Sequence, residues 1–327
     1  MRPQQCTARG KMGNVLWMAV ILVLWAGSSA WAFTLTCKEF VDNHCDGTPV
    51  ENRGNGTEVV DDGDEELCPN RLDCLCPFAQ NCHFVIETGQ DLRLKNIILP
   101  FGGRLSFSEG RELLIEGSNL DGAPNSDFQT SGMDILRIKQ RTQRSFINGL
   151  GAGRHIDLNA KKKVVVEKSV LNARGNIYID PNAPNHKVTI ERSDLTADGI
   201  IEVTSANDDI FCNRSNLTAD KIGFGSENGL ITTMSKCTFT MTSDSRWCAE
   251  GSLKVRGKNR GDPPPDFVCP VPGTTVVLAS FFKVDARYTN FDDCDVKCRA
   301  PRERDVKGCM YDGPPHRECI PPLPVWP

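Results

Sequence analysis

Apolar and polar residues alternate along several stretches of this chain, and the alternating stretches recur. The clearest copies are VVVEKSVLNA (164–173), VTIERSDLTA (188–197) and IFCNRSNLTA (210–219), and a weaker fourth copy is TTMSKCTFTM (232–241). Their equivalent points are Ser169, Ser193, Ser215 and Cys237, which follow one another at nearly constant spacing. A repeat of this length indicates units that bury their apolar faces only by stacking on neighbours. We therefore expect a β-solenoid with coils of about 22 residues.

Each copy predicts a strand, a polar turn, a second strand, a corner and a third strand, because a residue period of two is typical of strands and not of helices. One inward column is expected from Val166, Ile190, Cys212 and Met234, and another from Leu171, Leu195, Leu217 and Phe239. LLIEGSNLDG (113–122) and VDARYTNFDD (284–293) fit the same template, so the solenoid is expected over residues 84–293. A proline-rich loop insertion is expected near 243–275, since Pro263–Pro265 cannot donate ladder hydrogen bonds.

The first residues have the pattern of a secretory signal peptide. Arg2, Arg9 and Lys11 precede an apolar stretch at Val15–Ala26, and an A-x-A cleavage site ends at Ala32. We expect residues 1–32 to be removed and the mature chain to be secreted, periplasmic or attached to the cell surface. The mature chain contains no other stretch apolar enough to cross a membrane.

The cysteines that follow the signal peptide are concentrated at the two ends of the mature chain. We expect these ends to form a Cys-rich N-terminal cap (33–83) and a Cys- and Pro-rich C-terminal tail (294–327). In an exported protein such clusters indicate disulfides, and an open solenoid needs caps at both ends. The disulfide candidates are Cys37, Cys45, Cys68, Cys74, Cys76, Cys82, Cys248, Cys269, Cys294, Cys298, Cys309 and Cys319. Cys212 and Cys237 lie on adjacent coils, but their offset of three positions predicts poor geometry for a direct bond. No paired C-x-x-C indicates a metal site, and no cofactor is expected.

Taken together, the period and the inward columns resemble the secreted right-handed parallel β-helix proteins of the pectate-lyase-like superfamily. The resemblance covers about two thirds of the chain and involves no family-specific signature. It implies an all-β, right-handed parallel β-helix. It also implies a fold shared by polysaccharide lyases, glycoside hydrolases, adhesins and surface proteins, among which the fold alone does not choose.

The pectin-cleaving hydrolases of this superfamily carry NTD, paired DD, GHG and RIK motifs in that order. Asn207–Asp209 resembles the paired acids and Arg137–Lys139 matches RIK, but RIK precedes the acids here and GHG is absent. If the chain is an enzyme, the residues available are Asp208, Asp209 and His155. The alternative is that the two aspartates form a polar corner and that the histidine is merely exposed.

A basic stretch runs from Arg137 to Lys168, with nine basic residues opposed by Asp157 and Glu167, a local net charge of +7. Because successive coils lie about 4.8 Å apart, these charges would merge into one patch that attracts polyanions. The candidate binding residues are Arg137, Lys139, Arg141, Lys161, Lys162 and Lys163. The alternative is that the lysines form a solvated loop and that the other basic residues pair with acids.

These observations favour an exported, non-enzymatic protein that acts at or outside the cell surface in adhesion or in binding acidic polysaccharide or surface glycan. The alternatives are a β-helix polysaccharide lyase or hydrolase and a structural envelope component. Removal of the leader changes the net charge from −4 to −7, which argues against nucleic acid as a partner. Asn55, Asn213 and Asn216 lie in glycosylation sequons, which matter only in a eukaryotic secretory pathway.

Overall fold

The computed structural model describes residues 32–35, 57–61, 82–86, 88–95, 98–101, 104–122, 126–140, 146–149, 155–179, 187–205, 209–226, 229–233, 236–256 and 263–315. The chain divides into residues 1–30, all outside this described set, and residues 31–327, which contain every strand given below. The signal-peptide prediction therefore falls almost entirely outside the described residues. Within the described residues, no helix is long and apolar enough to span a bilayer.

The described residues form a parallel β-solenoid with three sheets, and each full coil contributes one strand to each sheet. Sheet 1 has twelve described strands: Ala32–Leu35, Thr57–Asp61, Asp91–Lys95, Glu112–Glu116, Ile135–Lys139, Lys163–Glu167, Lys187–Glu191, Ile210–Asn213, Ile231–Thr233, Ser252–Val255, Lys283–Asp285 and Val306–Lys307. Sheet 2 has nine: Ile98–Phe101, Asn119–Gly122, Phe146–Gly149, Val170–Ala173, Asp194–Ala197, Asn216–Ala219, Thr238–Met241, Asp266–Val268 and Asn290–Asp292. Sheet 3 has eleven: Cys82–Ile86, Arg104–Glu109, Asp127–Ser131, Ile156–Leu158, Ile177–Ile179, Ile200–Ser205, Lys221–Ser226, Ser245–Ala249, Thr275–Ser280, Asp295–Arg299 and Met310–Tyr311. A short 3-10 helix, Glu303–Asp305, lies near the C-terminal end.

The register of sheet 1 confirms the regular coil length expected from the sequence. Val164, Val188, Ile210, Ile231 and Leu253 are successive partners along the stack. All five side chains are fully buried. The all-β parallel solenoid is thus shown, with one inward apolar column maintained across successive coils.

The column of leucines predicted in sheet 2 is confirmed. Leu171, Leu195, Leu217 and Phe239 are consecutive partners and none is exposed to solvent. Further along the stack the column continues into a cluster of aromatic rings, in which Phe239 and Phe267 have ring centroids 5.1 Å apart and Trp247 lies 4.9 Å from Phe267. Trp247 donates its indole N–H to the backbone oxygen of Ile222 at 3.1 Å, which satisfies its one polar atom inside the core.

The other predicted column is wrong at its last member. Val166, Ile190 and Cys212 are partners as expected, but Cys212 pairs with Thr233 and not with Met234, which lies outside the described residues. Three residues separate Thr233 from Cys237, whereas two separate Cys212 from Ser215. Because the repeats were aligned at Ser215 and Cys237, the predicted inward position was wrong by one residue. A shift of one residue exchanges the inward and outward faces of a strand.

The strands also extend into segments where the sequence indicated caps or a loop. The sheets begin at Ala32 and end at Tyr311, beyond the expected solenoid of 84–293. The segment 243–275 contains three complete strands and is not one loop insertion. Pro263–Pro265 precede the strand Asp266–Val268, so their missing N–H groups do not interrupt that strand. The Pro263 and Pro265 oxygens accept hydrogen bonds from the N–H groups of Lys236 and Asn290.

Candidate functional site

The outer face of sheet 1 carries the first part of the predicted basic stretch, but acidic residues of the preceding coil neutralise it. Lys139 lies directly opposite Glu116, and their Nζ and Oε1 atoms are 3.5 Å apart. Arg137 Nε lies 2.6 Å from Glu112 Oε1, although this N–H makes no hydrogen bond, so the contact is an ion pair only. Exposed pairs of this kind contribute little stability, but they cancel the charge that a polyanion would need.

The three consecutive lysines lie at the corner where sheet 3 leads into sheet 1. Lys161 and Lys162 are both exposed, but Lys162 Nζ is 2.7 Å from Asp134 Oδ2. Lys163 is half-buried and begins a strand of sheet 1. Lys163 pairs in register with Lys187 of the next coil, a cation outside the predicted basic stretch. We call Lys161, Lys163 and Lys187 the cationic corner.

The cationic corner places Lys163 beside other positive charges. Burial lowers the pKa of Lys163, and the nearby charges of Arg137 and Lys187 lower it further, with Glu112 acting in the opposite direction. No salt bridge joins the three lysines to another of the described residues. The corner therefore differs from the paired charges on the rest of this face, and a bound anion would relieve the repulsion between Lys163 and Lys187.

Arg141 falls outside the described residues, so its predicted role has no structural description. Among the candidate residues for catalysis, Asp208 also lies outside them. Asp209 is an exposed corner residue whose Oδ1 accepts a hydrogen bond from the N–H of Leu230 at 2.9 Å. Asp209 thus lies at the corner before Ile210 and accepts a hydrogen bond from the following coil.

His155 lies on the outer side of sheet 3, where it packs against Tyr178 with ring centroids 5.9 Å apart. Its Nδ1 accepts a hydrogen bond from the backbone N–H of Asn176 at 3.1 Å. The Asn176 side chain donates to the Tyr178 hydroxyl at 2.6 Å and accepts from the N–H of Ile200 at 2.8 Å. A Cβ at Gly199 would collide with Asn176 Oδ1, so glycine is required for this arrangement.

Two carboxylates flank Tyr178 on the same column of sheet 3, Asp157 in the preceding coil and Glu202 in the following coil. Burial raises the pKa of Tyr178, the Asn176 hydrogen bond lowers it, and the charges of Glu202 and Asp157 raise it. The hydroxyl therefore stays protonated at neutral pH. Asp157 and Glu202 were not among the sequence candidates, because their juxtaposition depends on register and not on a local motif.

Other polar groups on the surface are used within the fold. A surface cleft of about 380 Å³ is lined in part by Lys221, Ser243 and Asp244. The Asp244 carboxylate accepts from the N–H of Thr275 at 2.7 Å. Near the C-terminal end, Arg287 and Arg256 hold the buried Asp285, and the Arg287 hydrogen bond lowers the pKa of that carboxyl. No group of three or more potential metal ligands occurs in the described part of the chain.

The described cysteines form disulfides toward the C-terminal end. Cys269 bonds to Cys294 and Cys298 bonds to Cys309, and Cys248 is also disulfide-bonded. Cys298–Cys309 joins two cysteines of the expected C-terminal tail, whereas Cys294 of that tail bonds to Cys269 of the preceding coil. Cys37, Cys45, Cys68, Cys74, Cys76 and Cys319 lie outside the described residues, and for Cys82 only the backbone strand is described.

Comparison with known protein families, curated proteins and solved structures finds no match for this chain. The parallel solenoid is therefore established by the geometry of the chain itself. The resemblance to the pectate-lyase-like superfamily has no support beyond that architecture.

Proposed function

We propose that this chain is an exported, non-catalytic binding protein that holds acidic polysaccharide outside the cell through the cationic corner. One observation carries the proposal: Lys163 and Lys187 lie side by side in adjacent coils, next to the exposed Lys161, without salt bridges to described acidic residues. Adjacent strands are about 4.8 Å apart. Regularly placed ammonium groups at that spacing suit a ligand with repeated carboxylate or sulfate groups.

A polyanion should bind the cationic corner more favourably than the rest of the outer face of sheet 1. On the sheet, a polyanion would displace acids that already neutralise Arg137 and Lys139. At the corner it would instead reduce the repulsion between Lys163 and the nearby Arg137 and Lys187, which adds to the larger effect of burial in lowering the pKa of Lys163. Binding there gains Coulomb energy without breaking an existing ion pair, and it weakens as salt screens the charges.

Action outside the cell is supported by two features. The N-terminal residues have the basic, apolar and small-residue order of an export signal. The disulfides Cys269–Cys294 and Cys298–Cys309 belong in an oxidising compartment. Export would bring the cationic corner into contact with surface and extracellular polysaccharides.

The experiment compares two charge-reversal variants on a column of immobilised heparin, a sulfated polysaccharide. The first variant replaces Lys161, Lys163 and Lys187 with Glu. The matched control replaces Lys221, Lys236 and Arg304, which are exposed elsewhere on the solenoid, so both variants have the same change in net charge. We expect the parent protein and the control to be retained at low salt and released as salt rises, and the corner variant to pass through unretained.

Equal retention of the corner variant and the parent, or equal loss in both variants, would contradict a localised site.

In a second measurement, the bound polysaccharide is recovered and its chain length is measured. Shortened chains would favour the alternative of a polysaccharide-cleaving enzyme, for which Asp157 and Glu202 beside Tyr178 are the best-placed carboxylates.

A further inference from the structure

Two cysteines meet inside the core, where the sequence predicted poor geometry for a bond. Cys212 and Cys237 are fully buried, and their sulfur atoms are 3.2 Å apart. The prediction of poor geometry relied on the offset of three positions between adjacent coils. Cys212 lies in a strand of sheet 1 and Cys237 directly precedes the sheet 2 strand Thr238–Met241, so the two side chains meet between these sheets.

The residue types at these two positions differ from those in the neighbouring coils. The position of Cys212 is filled by Val166 and Ile190 in the two preceding coils. The position of Cys237 is filled by serines, which are buried and hydrogen-bonded across the stack, with the Ser193 N–H donating to Ser215 Oγ at 3.1 Å. Two adjacent coils thus depart from the pattern together. Cys212 replaces the aliphatic residue in one of them, and Cys237 replaces the serine in the next.

A bond between adjacent coils has a precedent in the same chain. Cys269 and Cys294 are separated by 25 residues and cross-link adjacent coils. Cys212 and Cys237 are also separated by 25 residues. Among the cysteines whose side chains are described, Cys212 and Cys237 belong to no disulfide, and their sulfur atoms face each other.

We propose that Cys212 and Cys237 form a disulfide inside the solenoid core, and that it forms during folding. The oxidant is a small-molecule disulfide such as oxidised glutathione. One cysteine thiolate attacks that disulfide and forms a mixed disulfide with release of one thiol. The second cysteine thiolate then attacks the mixed disulfide, so the protein gains one S–S bond, loses two hydrogens and releases two molecules of the small thiol in total.

Burial fixes the order of events. In the folded chain neither sulfur is accessible to an oxidant, and burial together with Cys237 raises the pKa of Cys212, which suppresses the attacking thiolate. The exchange therefore takes place before the coils close over this position. The completed bond is equally shielded from reductants, so it acts as a permanent cross-link and not as a switch.

The test maps the cysteines of protein refolded with a mixture of reduced and oxidised glutathione. The refolded protein is denatured without reductant, treated with N-ethylmaleimide, digested and analysed by mass spectrometry. We expect a linked peptide pair containing Cys212 and Cys237, with no label on either residue. Labelling of both cysteines in the bulk of the refolded protein would overturn the proposal.

A double variant separates the bond from the packing. Cys212→Val with Cys237→Ser installs the residue types of the neighbouring coils. We expect it to unfold at a lower urea concentration than the parent when both are oxidised. The difference should disappear when both have been reduced in denaturant and refolded with a reductant present. A difference of the same size in both conditions would assign the effect to packing and would contradict the cross-link.

Discussion

Each inward side chain of the solenoid contacts the same position in the coils on both sides, so it has to fit two neighbours at once. Leu195 illustrates this constraint: it lies between Leu171 and Leu217 and has no exposed surface. The neighbouring Thr196 points outward and is exposed. Two adjacent residues on one strand therefore contribute very differently to stability, and the alternation in the sequence is the cause.

We expect Leu195→Ala to lower the free energy of unfolding by about 2–5 kcal/mol, because the cavity is held open by both neighbouring coils. The matched control is Thr196→Ala, which should change it by less than about 0.5 kcal/mol because the side chain is exposed. Urea unfolding followed by circular dichroism measures both values. Equal effects of the two substitutions would contradict the assigned inward and outward faces.

The recurring element is the turn that joins sheet 1 to sheet 2. Its last residue is left-handed in four successive coils, with φ of 48° to 63° at Lys168, Arg192, Arg214 and Lys236. The next residue is the buried serine or cysteine of the repeat. In the coil of Ser193, the hydroxyl contacts the Glu191 oxygen at 2.9 Å and accepts the N–H of Ser169 at 3.2 Å. The serine of this turn therefore provides hydrogen-bond partners for buried backbone groups. Across this turn, the side chains that point inward change from even-numbered to odd-numbered residues.

We expect Ser193→Ala to destabilise the protein by about 1–3 kcal/mol, because the buried N–H of Ser169 loses its acceptor. Thr218→Ala, at an exposed position of sheet 2, serves as the control that also removes a hydroxyl. Amide hydrogen exchange adds a local measure, since the Ser169 amide should exchange faster in the Ser193 variant only. Unchanged protection at Ser169 would argue against this ladder of hydrogen bonds.

At the scale of the whole molecule, the sequence predicted what the repeat determines and missed what the turns determine. The alternation and the period were enough for the parallel solenoid and for the column from Leu171 to Phe239, because these depend on residue type at regular spacing. Thr233 was missed because its coil has one more residue in the turn. In the strand Ile135–Lys139, Leu136 and Ile138 take the inward positions, and Ile135 is only half-buried.

The candidate site, likewise, was predicted from the sequence only in part. A count of charges along the sequence gave an excess of basic residues, but the acids that pair with Arg137 and Lys139 lie one full coil earlier in the chain. Lys187 was missed for the same reason, although its position one repeat after Lys163 was the available signal. The proximity of Cys212 to Cys237 depends on a turn conformation that the pattern does not determine.

The most direct test of the account is a lysine footprint of the protein with and without heparin at low salt. Lysines are acetylated in both states and the modified positions are quantified by mass spectrometry. The account predicts protection at Lys161, Lys163 and Lys187, with Lys139 and Lys162 little changed because they are held by Glu116 and Asp134. Protection spread over the lysines of sheet 1, or absent from the cationic corner while heparin is bound, would contradict the account.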